Sequence, residues 1–304
     1  MRNMKKNILF WVGIIVAVGL FLYGVSHRFQ QQNKPEVPSA HLQVVASFYP
    51  LAHIAEQIGK EHVNVLNLTP AGSEPHDFDP SPRDIADLQN SDVFIYNGAG
   101  FEPWANRVIA ELESKGVRVI DASSSLEIMN DDPHVWLDPI LVREQAQHIA
   151  DLFAETDSAH AAYYAENARE FSTQLDMLHD EFVRGLAQCE RRDIVTAHAA
   201  FGYLAKRYNL NMISIGGISP DAEVSPARLA EISDLVREKG ITHIFFETLV
   251  SPKIAETIAQ ETSVQVLALN PIEGLTDEEI VQGKNYISIQ RDNLQALRTA
   301  LDCI

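Results

Sequence analysis

The chain is poor in positive charge and lacks the common hydrolase motifs. Lysine and arginine total 24 against 42 aspartate and glutamate residues, which gives a formal net charge of −18. This balance argues against nucleic acid as a partner, because binding to phosphates depends on basic side chains. Neither a His-Glu-x-x-His motif nor a nucleophile elbow is present, and the sequence therefore does not predict an enzyme. The acidity suits solubility and only weakly favours attraction of cations.

Long apolar runs are also scarce, and the only one near the length of a membrane span lies at the N-terminus. Residues 8–25 are uncharged and follow three basic residues. A run of about 18 residues is near the minimum for a membrane span and exceeds the usual signal-peptide core. We expect residues 1–27 to be a membrane anchor, with the rest of the chain on the extracytoplasmic face. A cleaved signal peptide is the alternative and would leave the protein periplasmic or secreted. Residues 28–41 are predicted to be a linker.

Cysteine is equally scarce, since Cys189 and Cys303 are the only two. No cysteine follows the apolar run, so the bacterial lipoprotein signal is missing. Outside the cytoplasm a pair of cysteines is more often a disulfide than two thiols. We predict a disulfide that brackets a second lobe, residues 190–304, with two buried thiols as the alternative.

Strand patterns alternate with helix patterns in residues 42–156 and again in residues 190–304. This alternation is typical of parallel α/β sheets. Between them, residues 159–188 contain no proline and only one glycine, Gly185. A helix of this length would span about 45 Å, which favours a connector over residues 157–189. A coiled coil is the alternative, but the apolar spacing is not a clean heptad.

The predicted fold is therefore α/β, with two lobes joined by one long rigid helix. Each lobe has a mostly parallel four-stranded sheet flanked by helices. In such sheets ligands bind beyond the carboxyl ends of the strands. Ser81, Ser251 and Thr276 are predicted to cap helices, and residues 104–115 are predicted to form one helix.

Three histidines lie in turn-rich segments near predicted strand ends. These are His76 in Glu-Pro-His-Asp-Phe-Asp-Pro, His134 in Asp-Pro-His-Val-Trp-Leu-Asp-Pro, and His198 in Thr-Ala-His-Ala-Ala-Phe-Gly-Tyr. Glu273, in Asn-Pro-Ile-Glu-Gly, offers a carboxylate in a similar setting. Three imidazoles and one carboxylate make a tetrahedral site suited to a divalent transition metal. The flanking prolines would hold such ligands in stiff loops and lower the entropy lost on binding.

Three further carboxylates have open roles. Asp79 and Asp138 follow His76 and His134 within the same segments, and would either accept hydrogen bonds from ring N–H groups or form turns and helix caps. Glu247, at the end of a predicted buried strand, is a spare carboxylate whose alternative is a structural hydrogen bond.

These segments give the chain a close resemblance to the metal-specific solute-binding proteins of ABC transporters, the zinc- and manganese-binding group. The resemblance extends from Ala46-Ser47-Phe48-Tyr49-Pro50 to Asn270-Pro271-Ile272-Glu273 and covers nearly all of residues 42–304 in the order of the family. It implies two α/β lobes with the metal in the cleft between them. His76 and His134 would be ligands from the first lobe, and His198 and Glu273 from the second.

The resemblance also implies a function: extracytoplasmic capture of a divalent metal and delivery to an ABC permease and its ATPase. Manganese-type relatives usually have glutamate and aspartate at the third and fourth ligand positions, so His198 and Glu273 favour zinc, with manganese as the alternative. Zinc-type members often carry a histidine-rich loop before the second ligand, whereas residues 123–132 contain no histidine. We expect a monomer. A zinc hydrolase and an adhesin are the competing functions, and a fourth protein ligand argues against the hydrolase.

Overall fold

A computed structural model describes residues 41–304, and the predicted anchor and nearly all of the linker lie outside the described residues. Eight strands in the described part form two four-stranded sheets, in which all neighbouring strands are parallel. The strand orders, β2-β1-β3-β4 and β6-β5-β7-β8, are equivalent. The predicted pair of parallel sheets is thus confirmed. The strands are β1 (Leu42–Ala46), β2 (Val63–Asn67), β3 (Val93–Tyr96), β4 (Arg118–Asp121), β5 (Asp193–Thr196), β6 (Asn211–Ser214), β7 (His243–Phe246) and β8 (Gln265–Ala268).

Helices connect these strands and cover the sheets. Parallel neighbours need such crossover connections, because the chain must return to the same end of the sheet before each strand. The α-helices of residues 41–304 are α1 (Tyr49–Gly59), α2 (Pro82–Gln89), α3 (Ile109–Ser114), α4 (Pro139–Thr156), α5 (Ala161–Gly185), α6 (Gly202–Arg207), α7 (Pro226–Glu238), α8 (Lys253–Thr262), α9 (Asp277–Val281) and α10 (Tyr286–Ala300).

Local sequence explains most helix starts. Ser81 and Thr276 each accept a hydrogen bond in a capping box, as predicted. Ser251 does not cap α8, whose first turn follows Pro252 without a side-chain cap. The helix predicted over residues 104–115 is divided into a 3₁₀ turn (Ala105–Arg107) and α3.

The long connector α5 is packed against both lobes. It is shorter than predicted, about 37 Å at 1.5 Å per residue over its 25 residues. In its N-terminal part, Asn167 donates a hydrogen bond to the carbonyl of Ile58 in α1, at 2.8 Å. Toward its C-terminal end, Glu181 accepts two hydrogen bonds from Arg291 in α10, both at 2.8 Å. Because both ends are fastened to different lobes, bending of α5 would break contacts in each.

One hydrophobic core runs through the junction of the lobes. It joins buried side chains of α1, α4, α5 and α10 with strand residues of both sheets, and two smaller cores lie on the outer faces of the sheets. Fully buried aromatic residues in this core include Trp136, Phe171 and Tyr286. In the described part of the chain, no helix has the length and apolar character needed to cross a bilayer.

Candidate metal centre

The four candidate residues come together at the carboxyl ends of the strands, where the two lobes face each other. His76 lies in a 3₁₀ turn after β2, and His134 precedes a 3₁₀ turn after β4. His198 lies two residues after the end of β5, and Glu273 lies in the loop after β8. The sequence interpretation therefore named four side chains that the fold brings into one cluster, with one ligand atom of each within 4.8 Å of the others.

The donor atoms approach one another closely. The Nε2 atom of His134 lies 3.2 Å from that of His76 and 3.3 Å from that of His198. The Oε1 atom of Glu273 lies 3.4 Å from His76 Nε2 and 3.5 Å from the Nε2 atoms of His134 and His198. Five of the six edges of the cluster are thus 3.2–3.5 Å long, and the sixth, between the donors of His76 and His198, is at most 4.8 Å, so the four donors outline a tetrahedron.

The buried carboxylate of Glu273 indicates most clearly that the cluster binds a cation. Its side chain is 1% exposed, yet neither carboxylate oxygen accepts a hydrogen bond from any group in residues 41–304. A buried carboxylate without donors is costly, and such groups in proteins are paired or bind cations. Burial raises the pKa of Glu273, but the three imidazoles outweigh it and lower the pKa well below its usual value.

A carboxylate fixes the ring of His134 from the side opposite to the cluster. Asp132 Oδ1 lies 2.7 Å from His134 Nδ1 and accepts the backbone N–H of His134 at 3.0 Å. With Nδ1 protonated to satisfy this bond, Nε2 presents its lone pair to the cluster. Burial lowers the pKa of His134, but the hydrogen bond with Asp132 and the nearby Glu273 carboxylate outweigh it, and the pKa is raised overall.

Glu247 performs the same task for His198. Its Oε2 atom lies 2.6 Å from His198 Nδ1, and its Oε1 atom accepts the backbone N–H of His198 at 3.0 Å. Burial again lowers the pKa, but the hydrogen bond to Glu247, with further contributions from Glu273, raises the pKa of His198 to about 10. Glu247, an open carboxylate in the sequence, is therefore the hydrogen-bond partner of a candidate ligand.

His76 is held differently. Glu74 Oε1 accepts its backbone N–H at 3.1 Å, and its ring lies against Phe101 with centroids 4.7 Å apart. Its side chain is 9% exposed, whereas those of His134 and His198 are fully buried. Burial, with repulsion from Glu273, raises the pKa of Glu74 to about 8.

The two aspartates considered as ring acceptors have other partners. Asp138 caps α4 by accepting the backbone N–H of Ile140 and pairs with Arg207, so its helix-cap alternative is correct. Asp79 forms an exposed ion pair with Arg107. The acceptor that the sequence reasoning missed is Asp132. Its signal was available, because aspartate often bonds the backbone N–H two residues ahead, as Asp132 does with His134.

The chain is similar to known zinc-uptake proteins along most of its length. Residues 44–300 match the protein family described as "ZnuA: Zinc-uptake complex component A periplasmic". The zinc-binding lipoprotein AdcA of Streptococcus pneumoniae serotype 4 is 34% identical over 302 residues, which cover 93% of this chain and 59% of that protein. The high-affinity zinc uptake system protein ZnuA of Bacillus subtilis is 33% identical over 311 residues, covering 96% of this chain and 98% of the relative.

The fold has solved counterparts as well. The crystal structure of the Zn(II)-bound ZnuA-like domain of S. pneumoniae AdcA superimposes with a TM-score of 0.79 at 36% identity. The match covers 86% of this chain and 99% of that domain. The chain thus spans about three fifths of the pneumococcal AdcA protein, in the part that contains the ZnuA-like domain. With a family match over most of its length and relatives above 30% identity, the chain belongs to the ZnuA family of zinc-uptake components.

Proposed function

We propose that this protein captures Zn²⁺ on the extracytoplasmic side of the membrane and delivers it to an ABC permease driven by an ATPase. His76, His134, His198 and Glu273 are the proposed ligands. The observation that carries the proposal is the cluster itself, in which five of the six donor separations are 3.2–3.5 Å and one donor is a buried carboxylate. The centre of a regular tetrahedron with such edges lies about 2.0–2.1 Å from each corner, the distance typical of zinc–nitrogen bonds.

The donor set favours zinc over manganese. Three neutral imidazole nitrogens suit zinc, whereas manganese prefers oxygen ligands, and the general affinity order also places zinc above manganese. The names of the AdcA and ZnuA relatives support the same ion. A hydrolase is disfavoured because Glu273 takes the fourth position, which catalytic zinc keeps for water.

In this function, residues 42–156 and 190–304 act as the two metal-binding lobes of a monomer, and residues 157–189 connect them. Residues 1–27 serve as the membrane anchor, or as a cleaved signal, and residues 28–41 as the linker. The family description as periplasmic and the lipoprotein name of AdcA support a location outside the cytoplasm.

Competition binding tests the metal. Metal-free full-length protein is titrated with Zn²⁺ and Mn²⁺ against a chromophoric chelator, with His134→Ala as the site control. Zinc should bind far more tightly than manganese, and the variant should bind zinc at least about tenfold more weakly. Manganese equal to zinc would overturn the assignment, and an unchanged variant would remove His134 from the site.

Zinc accumulation tests delivery. Cells that lack the gene should take up less zinc under zinc limitation, and the wild-type gene should restore uptake while the gene for His134→Ala should not. Normal uptake in the deletion strain, in a background without a second zinc importer, would contradict the transport role.

A further inference from the structure

The turn before His134 is fastened by one hydroxyl from the other lobe. Tyr203, in α6, accepts the backbone N–H of Met129 at 2.9 Å and donates to the carbonyl of Asp132 at 2.8 Å. One side chain of the second lobe therefore bonds both ends of the four-residue turn in the first lobe. The turn closes on itself through a single backbone bond, from Asp132 N–H to the carbonyl of Met129 at 2.8 Å.

The two central residues of this turn have a left-handed backbone. Asn130 and Asp131, its two central residues, have φ values of 49° and 59°. The left-handed region is less favourable for residues other than glycine, although asparagine and aspartate tolerate it best. The Tyr203 hydroxyl is a donor at one end and an acceptor at the other, and it pairs two backbone groups that the turn itself leaves without partners, one buried and one partly buried.

Asp132 is also held by the start of α6. A methyl group placed on Gly202 would lie 2.6 Å from Asp132 Oδ2. The glycine therefore lets α6 approach the carboxylate whose other oxygen accepts the two N–H groups of His134. Gly202 and Tyr203 follow closely on His198, so the segment that carries one candidate ligand also supports the hydrogen-bond partner of another.

We propose that Tyr203 is a positioning residue of the metal centre, which sets Asp132 and thereby the orientation of the His134 imidazole. This role rests on the proposed function, because it concerns the ligand geometry of the zinc site. The pair of contacts couples the lobes at the metal, since a shift of α6 that moves His198 also moves Asp132.

The test removes the hydroxyl alone. Tyr203→Phe keeps the buried ring, and Tyr164→Phe is the matched control, because Tyr164 is also buried and donates a hydrogen bond at 2.8 Å, to Asp157 in a region away from the four candidate ligands. Zinc affinity and the rate of zinc dissociation are measured with the full-length proteins, and the visible ligand-field spectrum of bound Co²⁺ reports ligand geometry.

We expect Tyr203→Phe to weaken zinc binding about tenfold, at the low end for partners that orient metal ligands, mainly through faster dissociation, and to change the Co²⁺ spectrum. Tyr164→Phe should leave both unchanged. Gly202→Ala displaces the Asp132 carboxylate but keeps the Tyr203 hydroxyl, and it should also change the Co²⁺ spectrum. It is the alternative test if Tyr203→Phe does not fold.

Wild-type affinity and an unaltered spectrum in Tyr203→Phe would overturn the positioning role, as would an equal loss in Tyr164→Phe. If Tyr203→Phe does not fold, an unaltered Co²⁺ spectrum in Gly202→Ala overturns it. The proposed function fails separately, through absence of zinc binding by the wild-type protein.

Discussion

The two histidines of the first lobe, His76 and His134, are supported in opposite ways. The segment around His134 is bonded mainly to the second lobe. Trp136 Nε1 donates to the carbonyl of Pro271 at 2.7 Å, and Tyr286 donates to the carbonyl of Trp136 at 2.7 Å. The His76 turn is instead bonded within itself, through Glu74, and the loop before it makes one bond to the second lobe, from Gly72 N–H to the carbonyl of Leu275 at 2.9 Å. His134 therefore belongs to the first lobe in sequence but is held in place mainly by the second.

The second lobe thus holds three of the four candidate ligands. His134, His198 and Glu273 are all fixed to the second lobe by hydrogen bonds or by their place in the chain, and all three are buried. His76 is the partly exposed fourth member. We expect His76 to complete the site, with the other three ligands already ordered.

The largest expected effect separates these two histidines directly. His134→Ala removes a ligand and also leaves the buried Asp132 carboxylate without its ring N–H, which adds to the loss. His76→Ala removes a ligand but leaves three that are ordered, and water can take the fourth position. Both variants should bind zinc more weakly, and His134→Ala should be weaker than His76→Ala by about tenfold or more. Calorimetric affinities that are equal, or reversed in order, would contradict the grouping.

A smaller effect is expected at the carboxylates behind the rings. Asp132→Asn and Glu247→Gln should each weaken zinc binding about 10- to 100-fold, because they disturb the Nδ1–H acceptors of His134 and His198. Glu74→Gln is the control, since it keeps an oxygen acceptor for the His76 backbone and replaces a carboxyl whose pKa is about 8. Its affinity near pH 7 should change little. A loss at Glu74 as large as at Glu247 would show that burial near the site matters more than ring orientation.

Much of the fold was predictable from sequence, because it rests on local patterns. Alternating strand and helix segments indicated two parallel sheets, and Ser81 and Thr276 marked helix starts through side-chain bonds within three residues. The break between residues 105–107 and α3 was missed, since the helical pattern there is continuous and tertiary packing decides where the chain turns.

The carboxylates that accept hydrogen bonds from the histidine rings were harder to predict from sequence than the ligands themselves. The four ligand candidates could be named from their motifs, and strand-end positions suggested that they meet. Asp132 lies two residues before His134 and so had a local signal, whereas the carboxylate that orients His198 is Glu247, 49 residues away, a contact that only the fold creates. The support of the His134 turn by Tyr203, 71 residues further along from Asp132, leaves no periodic or local signal either.

Proton release on zinc binding tests the raised pKa values of His134 and His198, the two histidines that have carboxylate partners. The metal-free protein has a His198 pKa raised to about 10 and a raised His134 pKa. Protonated His198 therefore stabilises the metal-free fold below pH 6.5, and this contribution is lost as the pH rises through about 10. Zinc requires the neutral ring, so its affinity should rise about tenfold per pH unit for each proton displaced. Calorimetry between pH 6.5 and 8 in buffers of different ionisation enthalpy should detect at least one released proton. A zinc affinity that does not change with pH would contradict the raised pKa values. Glu247→Gln should make the rise of zinc affinity with pH less steep.

The smallest effect on zinc is expected at the disulfide. Cys189 and Cys303 are bonded, as predicted, and join the residues after α5 to the C-terminus. Backbone bonds fasten the same junction, from Ile304 N–H to the carbonyl of Gln188 at 2.9 Å and from Arg191 N–H to that of Leu301 at 3.1 Å. The double variant Cys189→Ser, Cys303→Ser should therefore keep the terminus docked in the folded state. Its main loss is the constraint on the unfolded chain, up to about 4.7 kcal/mol of unfolding free energy for a loop of about 100 residues.

Denaturant unfolding of the metal-free double variant should show this loss, while zinc affinity stays within about twofold of wild type, because neither cysteine contacts the candidate ligands or their carboxylate partners. Unreduced, denatured wild-type protein should contain no free thiol. A large fall in zinc affinity with little loss of stability would mean that the junction behind α5 transmits geometry to the metal centre. In that case the second lobe would not hold His134, His198 and Glu273 in place independently of the disulfide, as the comparison of His134 with His76 assumes.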